Sequence, residues 1–238
     1  MRLLNSLALG VSLPFTVPYA GRALKWIWST VLTAVWGLAS LPEVLLSLAG
    51  VRWEKRLRVQ VIVLRDEAGE PVVALERLDE HLALAREIFA SEARVRIEVE
   101  RISVSARPSS TSLLEPGCHT VGSFVEDLGR RGSAYELLSS TEASTGNFRR
   151  LVGYGAPVVV LVVRSFRTKH LGCSLGPLTD YVTIAGANAI CIAHELGHAC
   201  GLPHSRRKDN LMSRFCGQRG ISGWQVAVIR SSRHVTTF

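Results

Sequence analysis

The chain lacks charge over two long stretches near its start: none falls between Leu3 and Ala20, and none between Trp26 and Pro42. Such segments offer water no charged face, which sets residues 1–51 apart from the rest. The second run is about the shortest that spans a bilayer, and Trp26, Trp28 and Trp36 stand where interfacial aromatics are found. A secretory leader is a poor match, with one preceding arginine, interruptions at Asn5, Pro14 and Pro18, and no clean A-x-A cleavage site. A membrane anchor of one span or a hairpin is therefore expected over 1–51, ahead of a buried apolar helix or a removed leader, with one soluble domain over 52–238. Arg52, Lys55, Arg56 and Arg58, against Arg22 and Lys25, mildly favour a cytoplasmic domain.

A nucleic-acid recognition motif is lacking too. The net charge is +8 and the pI near 9.7, but the basic residues are dispersed, so a solvated surface explains them and no nucleic-acid partner is expected. No internal repeat is present, and methionine is confined to Met1 and Met212. With 238 residues, 47% of them hydrophobic, the chain has material for one substantial core.

Histidine, by contrast, is concentrated in "CIAHELGHACGLPHS", Cys191 to Ser205. A helix over 188–200 puts His194 and His198 one turn apart on one face, where both imidazoles can reach one ion. His204 lies six residues beyond His198, and a continuing helix would turn it roughly 240° away. The chain must leave the helix between them. Gly201 permits this by taking a left-handed conformation, and Pro203 forbids helical continuation and biases Leu202 to an extended one. Three imidazoles leave zinc one open tetrahedral position for water, the arrangement of a catalytic site. Glu195 follows the first ligand and is placed to take a proton from that water as general base. His, Glu and Gly would fall together in this pattern by chance on the order of once in a hundred thousand chains of this length, so a helix with incidental histidines is set aside.

This stretch resembles the metzincin signature HExxHxxGxxH, filled by His194, Glu195, His198, Gly201 and His204. Ser205 after the third histidine is most similar to the matrixin branch. The resemblance implies one catalytic Zn2+, hydrolysis of protein or peptide substrates, and a methionine turn beneath the metal, for which "DNLMSRF" supplies Met212. Arg214 stands where other branches keep a tyrosine near the metal, so a further protein ligand is not expected. The resemblance also implies an antiparallel edge strand above the cleft, to which substrate backbone pairs. Tyr181, Val182, Thr183, Ile184 and Ala185 have the strand character for it, and Gly186 would release the chain into the zinc helix. A mostly secreted clan favours an extracytoplasmic domain, against the flanking charge. No stretch between the apolar region and Leu57 is long enough to act as an inhibitory propeptide.

The remaining pattern is α/β with a twisted, mostly parallel sheet. "LRVQVIVL" reads as a strand, Leu75 to Ala90 as an amphipathic helix, and "VRIEVERISV" as a second strand parallel to the first, switching face near Arg101. Helices are expected at 121–128 and 134–140, a buried strand at 158–163, and a C-terminal helix capped by Ser222 with Trp224, Val228 and Ile229 inward. Five cysteines allow two bridges at most. Cys118 with Cys173 and Cys200 with Cys216 are the candidate pairs, and five thiols in a reducing compartment are the alternative. Cys191 is about 10 Å along the helix from His198, too far to share a metal. Together these features predict a membrane-anchored zinc endopeptidase. A silent zinc- and peptide-binding module is the alternative, and the intact Glu195 argues against it.

Overall fold

The computed structural model of the protein describes residues 18–118, 121–141, 147–186, 189–214 and 218–237. Strand β1 (Lys55–Arg65) grows from the apolar run at its centre, and Leu57 to Leu64 are all buried. A strand buried on both faces needs layers above and below it. Helix α3 (Leu75–Ala93) supplies one, ends at a left-handed Arg94, and returns the chain to β2 (Val95–Pro108), parallel to β1. The face switch near Arg101 is a bulge: Val59 pairs with Val99 and Gln60 with Arg101, so Glu100 is the extra residue.

Helices α4 (Thr111–Leu114), α5 (Val121–Leu128), α6 (Arg130–Thr141) and α7 (Asn147–Val152) lead to β3 (Val158–Val163), parallel to β1. Then come β4 (Gly172–Ser174), β5 (Tyr181–Ala185), α8 (Ala189–Ala199), α9 (Gly223–Ser231) and β6 (Val235–Thr236). The sheet order is β2-β1-β3-β5-β4, with β6 antiparallel to the start of β1. The protein is thus a mixed α/β fold with a mostly parallel sheet and an antiparallel edge strand.

The identity of that edge strand is a correction. Tyr181, Val182, Thr183, Ile184 and Ala185 form β5, which runs parallel to β3 and is hydrogen-bonded on its other side to β4. Both backbone edges of β5 are therefore occupied, and the antiparallel edge is Gly172–Ser174. Three residues carry too little alternation to declare themselves in sequence. On one face of the sheet, Leu82 and Phe89 of α3 pack with Ile192 and Leu196 of α8 and Val226 and Ile229 of α9. On the other, Leu114 and Tyr135 cover Ile62 and Leu161. Ser222 caps α9 in a capping box with Gln225, but Trp224 is half exposed and Val226 takes the inward position expected of it.

Helix α1 (Pro18–Ala39) and helix α2 (Leu41–Leu48) meet at a bend of 56°. Among the described residues no single helix is long and apolar enough to cross a membrane, and only this bent pair has the combined length and composition. The first uncharged run lies outside the described residues up to position 17. Buried ion pairs cross the expected boundary between 51 and 52. Arg22 donates to Asp127 Oδ2 at 2.8 Å, to the Tyr181 hydroxyl at 3.0 Å and to Glu136 at 3.1 Å. Arg230, fully buried in α9, donates to Glu43 Oε1 at 2.8 Å and to the carbonyls of Ala93 and Trp53 at 2.9 and 2.8 Å.

Close to β6, His234 donates from Nδ1 to the Ala156 carbonyl at 2.8 Å, and Arg233 pairs with Asp180. Burial, reinforced by Arg233 and opposed by Asp180, pushes the His234 pKa down from 6.5 to about 4. The unfolded chain then binds the proton more tightly, so this contribution is complete above about pH 6.5 and is lost as pH falls towards 4. Its size is on the order of 3 kcal/mol, from 1.36 kcal/mol per unit. Urea unfolding across that window should show a steeper loss for the wild type than for His234→Leu; equal slopes would exclude His234 as the source.

Candidate metal centre

Helix α8 carries His194, Glu195 and His198 through the middle of the fold, all three nearly or fully buried. The turn that follows is built as the spacing requires. Gly201 adopts φ +96°, Gly201 N donates to the His198 carbonyl at 2.9 Å, and Leu202 N reaches back to the Gly197 carbonyl at 3.0 Å. Pro203 then carries the chain to His204. The three rings converge: His198 Nε2 lies 3.1 Å from His194 Nε2 and 3.2 Å from His204 Nε2.

Their hydrogen bonds fix the tautomers of two rings. His194 Nδ1 is 2.7 Å from the Leu211 carbonyl, and His198 Nδ1 is 2.7 Å from the Leu202 carbonyl. A carbonyl only accepts, so both Nδ1 atoms bear the proton and both neutral Nε2 atoms present lone pairs. Burial, and then the neighbouring His194, Arg214 and His170, lowers the pKa of His204. Where the rings are neutral, lone pairs aimed at one point in this way suit a cation bound among them. Nitrogens about 2.05 Å from a tetrahedral zinc stand roughly 3.3 Å apart, close to the separations here. His194, His198 and His204 could hold a metal ion, their ligand atoms all lying within 4.8 Å of one another.

Met212 lies beneath this group, fully buried. Its amide is held by Asn210 Oδ1 at 3.0 Å, its carbonyl accepts from Ser205 N at 2.7 Å, and Asn210 is paired with Gln225 of α9 at 2.7 Å. One turn therefore orients His194 through the Leu211 carbonyl and anchors the residue after His204. A Cβ at Gly197 would stand 2.6 Å from the Met212 sulfur, so any larger residue there would displace the Met212 side chain. Gly172, the first residue of β4, has the same role above the helix: its Cβ would lie 2.5 Å from Glu195 Oε1. Sequence reasoning missed Gly172, Gly197 and Asn210. Only Gly197 left a signal, since a mid-helix glycine costs about 1 kcal/mol and calls for a packing reason.

Of the residues expected to bind substrate, none in β5 has a backbone edge to offer. Tyr181 is further committed, its hydroxyl bonded to Asp127 and Arg22 on the opposite face. Gly186 is left-handed, at φ +61°, and starts the passage to α8. The expected Cys118–Cys173 bridge is present and ties β4 to the loop after α4. Cys200 is a free, buried thiol whose pKa is pushed up to about 12 by burial, while its proposed partner Cys216 lies outside the described residues. Cys191 is fully buried and stands apart from the metal-binding group.

No family model matches the chain, and no curated protein matches it. Solved structures that are similar in part include the following two. Metalloproteinase-II from Bacteroides fragilis aligns with a TM-score of 0.47 at 11% identity, over 76% of this chain and 54% of that one. A chain of a chaperone–substrate complex aligns with a TM-score of 0.39 at 15% identity, over 66% of this chain and 25% of that one. The chain thus spans about half the length of the first and a quarter of the second. At these scores the site stands on its own geometry.

Metal analysis of the dialysed protein should find about one zinc per chain, falling on alanine substitution of His194, His198 or His204, because bound metal and its ligands act together. Gly197→Ala should weaken binding without removing a ligand, by displacing Met212. Met212→Leu, which conserves volume, should cost only about 1 kcal/mol. Unchanged zinc in all three histidine variants would remove this site from consideration.

Proposed function

We propose that the protein is a zinc-dependent endopeptidase of metzincin type, with one zinc ion held by His194, His198 and His204. The observation that supports this best is the convergence of three imidazole Nε2 atoms in a helix that also carries a buried carboxylate, Glu195. Zinc in such a site supplies a Lewis acid and brings the pKa of a coordinated water towards neutrality. Glu195 follows His194 in the same helix, and its carboxylate lies against Gly172, where a Cβ would displace it. There it accepts a proton from the attacking water and returns it to the departing amine. The close approach of Gly172 matters because a base must stay within hydrogen-bonding reach of the proton it moves. Ser205, next to the third histidine, is the residue that favours the matrixin branch.

The substrate in this reading is an extended peptide on β4. Gly172–Ser174 pairs with β5 on one side and ends the sheet order on the other, which suits antiparallel addition of a peptide strand next to Glu195. The Cys118–Cys173 bridge braces that short strand from the far side.

Glu195→Gln keeps the shape and the ligands but not the base. It should retain about one zinc and lose about a hundredfold to ten-thousandfold in peptide hydrolysis. Gly172→Ala should also keep its zinc and lower kcat, by pushing the carboxylate aside. The measurement is cleavage of a broad peptide library at equal zinc content, with and without chelator. Equal rates for wild type and Glu195→Gln would dismiss Glu195 as base. A zinc-loaded wild type that cleaves nothing would mean a silent peptide-binding module.

A further inference from the structure

Helix α1 is amphipathic in the reverse sense. Leu24, Ile27, Trp28, Val31, Val35 and Leu38 are each between 45% and 68% exposed, and at about 100° per residue they fall within an arc of roughly 100°. The opposite face is the polar one, and it points into the protein. Arg22 is buried against Asp127, Ser29 Oγ donates to the Pro177 carbonyl at 2.6 Å, Thr33 Oγ1 accepts from Arg233 at 3.1 Å, and Trp36 Nε1 donates to the Val152 carbonyl at 3.0 Å. Helix α2 repeats the arrangement. Leu41, Leu45 and Leu48 are exposed, while Glu43 and Ser47 are buried. A water-facing helix has the opposite pattern.

What covers this face must be apolar and must follow it around a 56° bend. A straight helix from a second copy would match one arm and leave the other bare. A fluid hydrocarbon boundary matches both. Two further features agree with lipid: the sequence before α1 carries no charge back to Leu3, and Trp28 is half exposed on this face, as interfacial tryptophans are. Crossing the bilayer is another matter. The inner face of α1 is bonded to the domain near its start at Arg22, midway at Ser29 and near its end at Trp36, so the helix cannot leave the domain to span.

We infer that the outward face of α1 and α2 rests in the interfacial layer of a lipid bilayer, with both helices in the plane of the membrane and the metal centre held close to its surface. Helices of this type bury their apolar face to the depth of the headgroup–acyl boundary. The interaction is independent of the chemistry at the metal.

The test uses the full chain and vesicles of phosphatidylcholine, with and without phosphatidylglycerol. Ile27→Glu combined with Leu38→Glu should lower flotation with vesicles at least about tenfold, since two inserted apolar side chains are lost, while the thermal midpoint stays unchanged because both positions are exposed. The second readout is fluorescence quenching by lipids brominated near the headgroup. Trp28→Phe should remove a large share of it and Trp224→Phe, on α9, none. Undiminished flotation of the double variant, or quenching unaffected by Trp28→Phe, would overturn the inference. So would stronger quenching from bromines at the bilayer centre, which would mean a span, or a wild type that dimerises through this face and ignores vesicles.

Discussion

Imidazole lone pairs aimed at one point repel each other unless a cation stands among them, and much of this fold exists to hold them there. Helix α8 supplies His194 and His198 by its own periodicity, but their tautomers are imposed from outside, by the carbonyls of Leu211 and Leu202. The Leu202 carbonyl is in place because the helix stops at Gly201, and the Leu211 carbonyl because Asn210 and Gln225 fasten the turn to α9. The outer supports are thus as necessary as the ligands, because they decide which ring nitrogen carries a proton.

Around that constraint the packing is unusually close at two glycines. Gly197 lets Met212 rise against the helix from below, and Gly172 lets the edge strand descend onto Glu195 from above. The carboxylate and the metal-binding group are therefore held between a turn and a strand, both set by backbone approach. The Cys118–Cys173 bridge fixes the strand side of this arrangement covalently.

The convergence of the three histidines and the helix stop between them were legible in the sequence because their spacing follows from helical geometry and from the special freedoms of glycine and proline. The long strands at 55–65 and 158–163 were legible for a similar reason, a run of β-branched residues with period two or none. The edge strand was not. Its place depends on which of two short segments lies outside the other, a long-range pairing choice that neither Gly172–Ser174 nor Tyr181–Ala185 encodes locally. The N-terminal region was legible only in part, for a different reason. Hydropathy registers that α1 is apolar but not which way it faces, and only the partners of Arg22, Ser29 and Glu43 disclose that the domain receives its polar side.

The pairing of Glu43 with Arg230 spans 187 positions of sequence. Synthesis at about 5 to 20 residues per second separates the emergence of these two partners by roughly 10 to 40 s. During that interval Glu43 has no Arg230 to pair with. The buried pair that fastens α2 to α9 can therefore form only once almost the whole chain has been made, so a helix made among the first is fastened among the last.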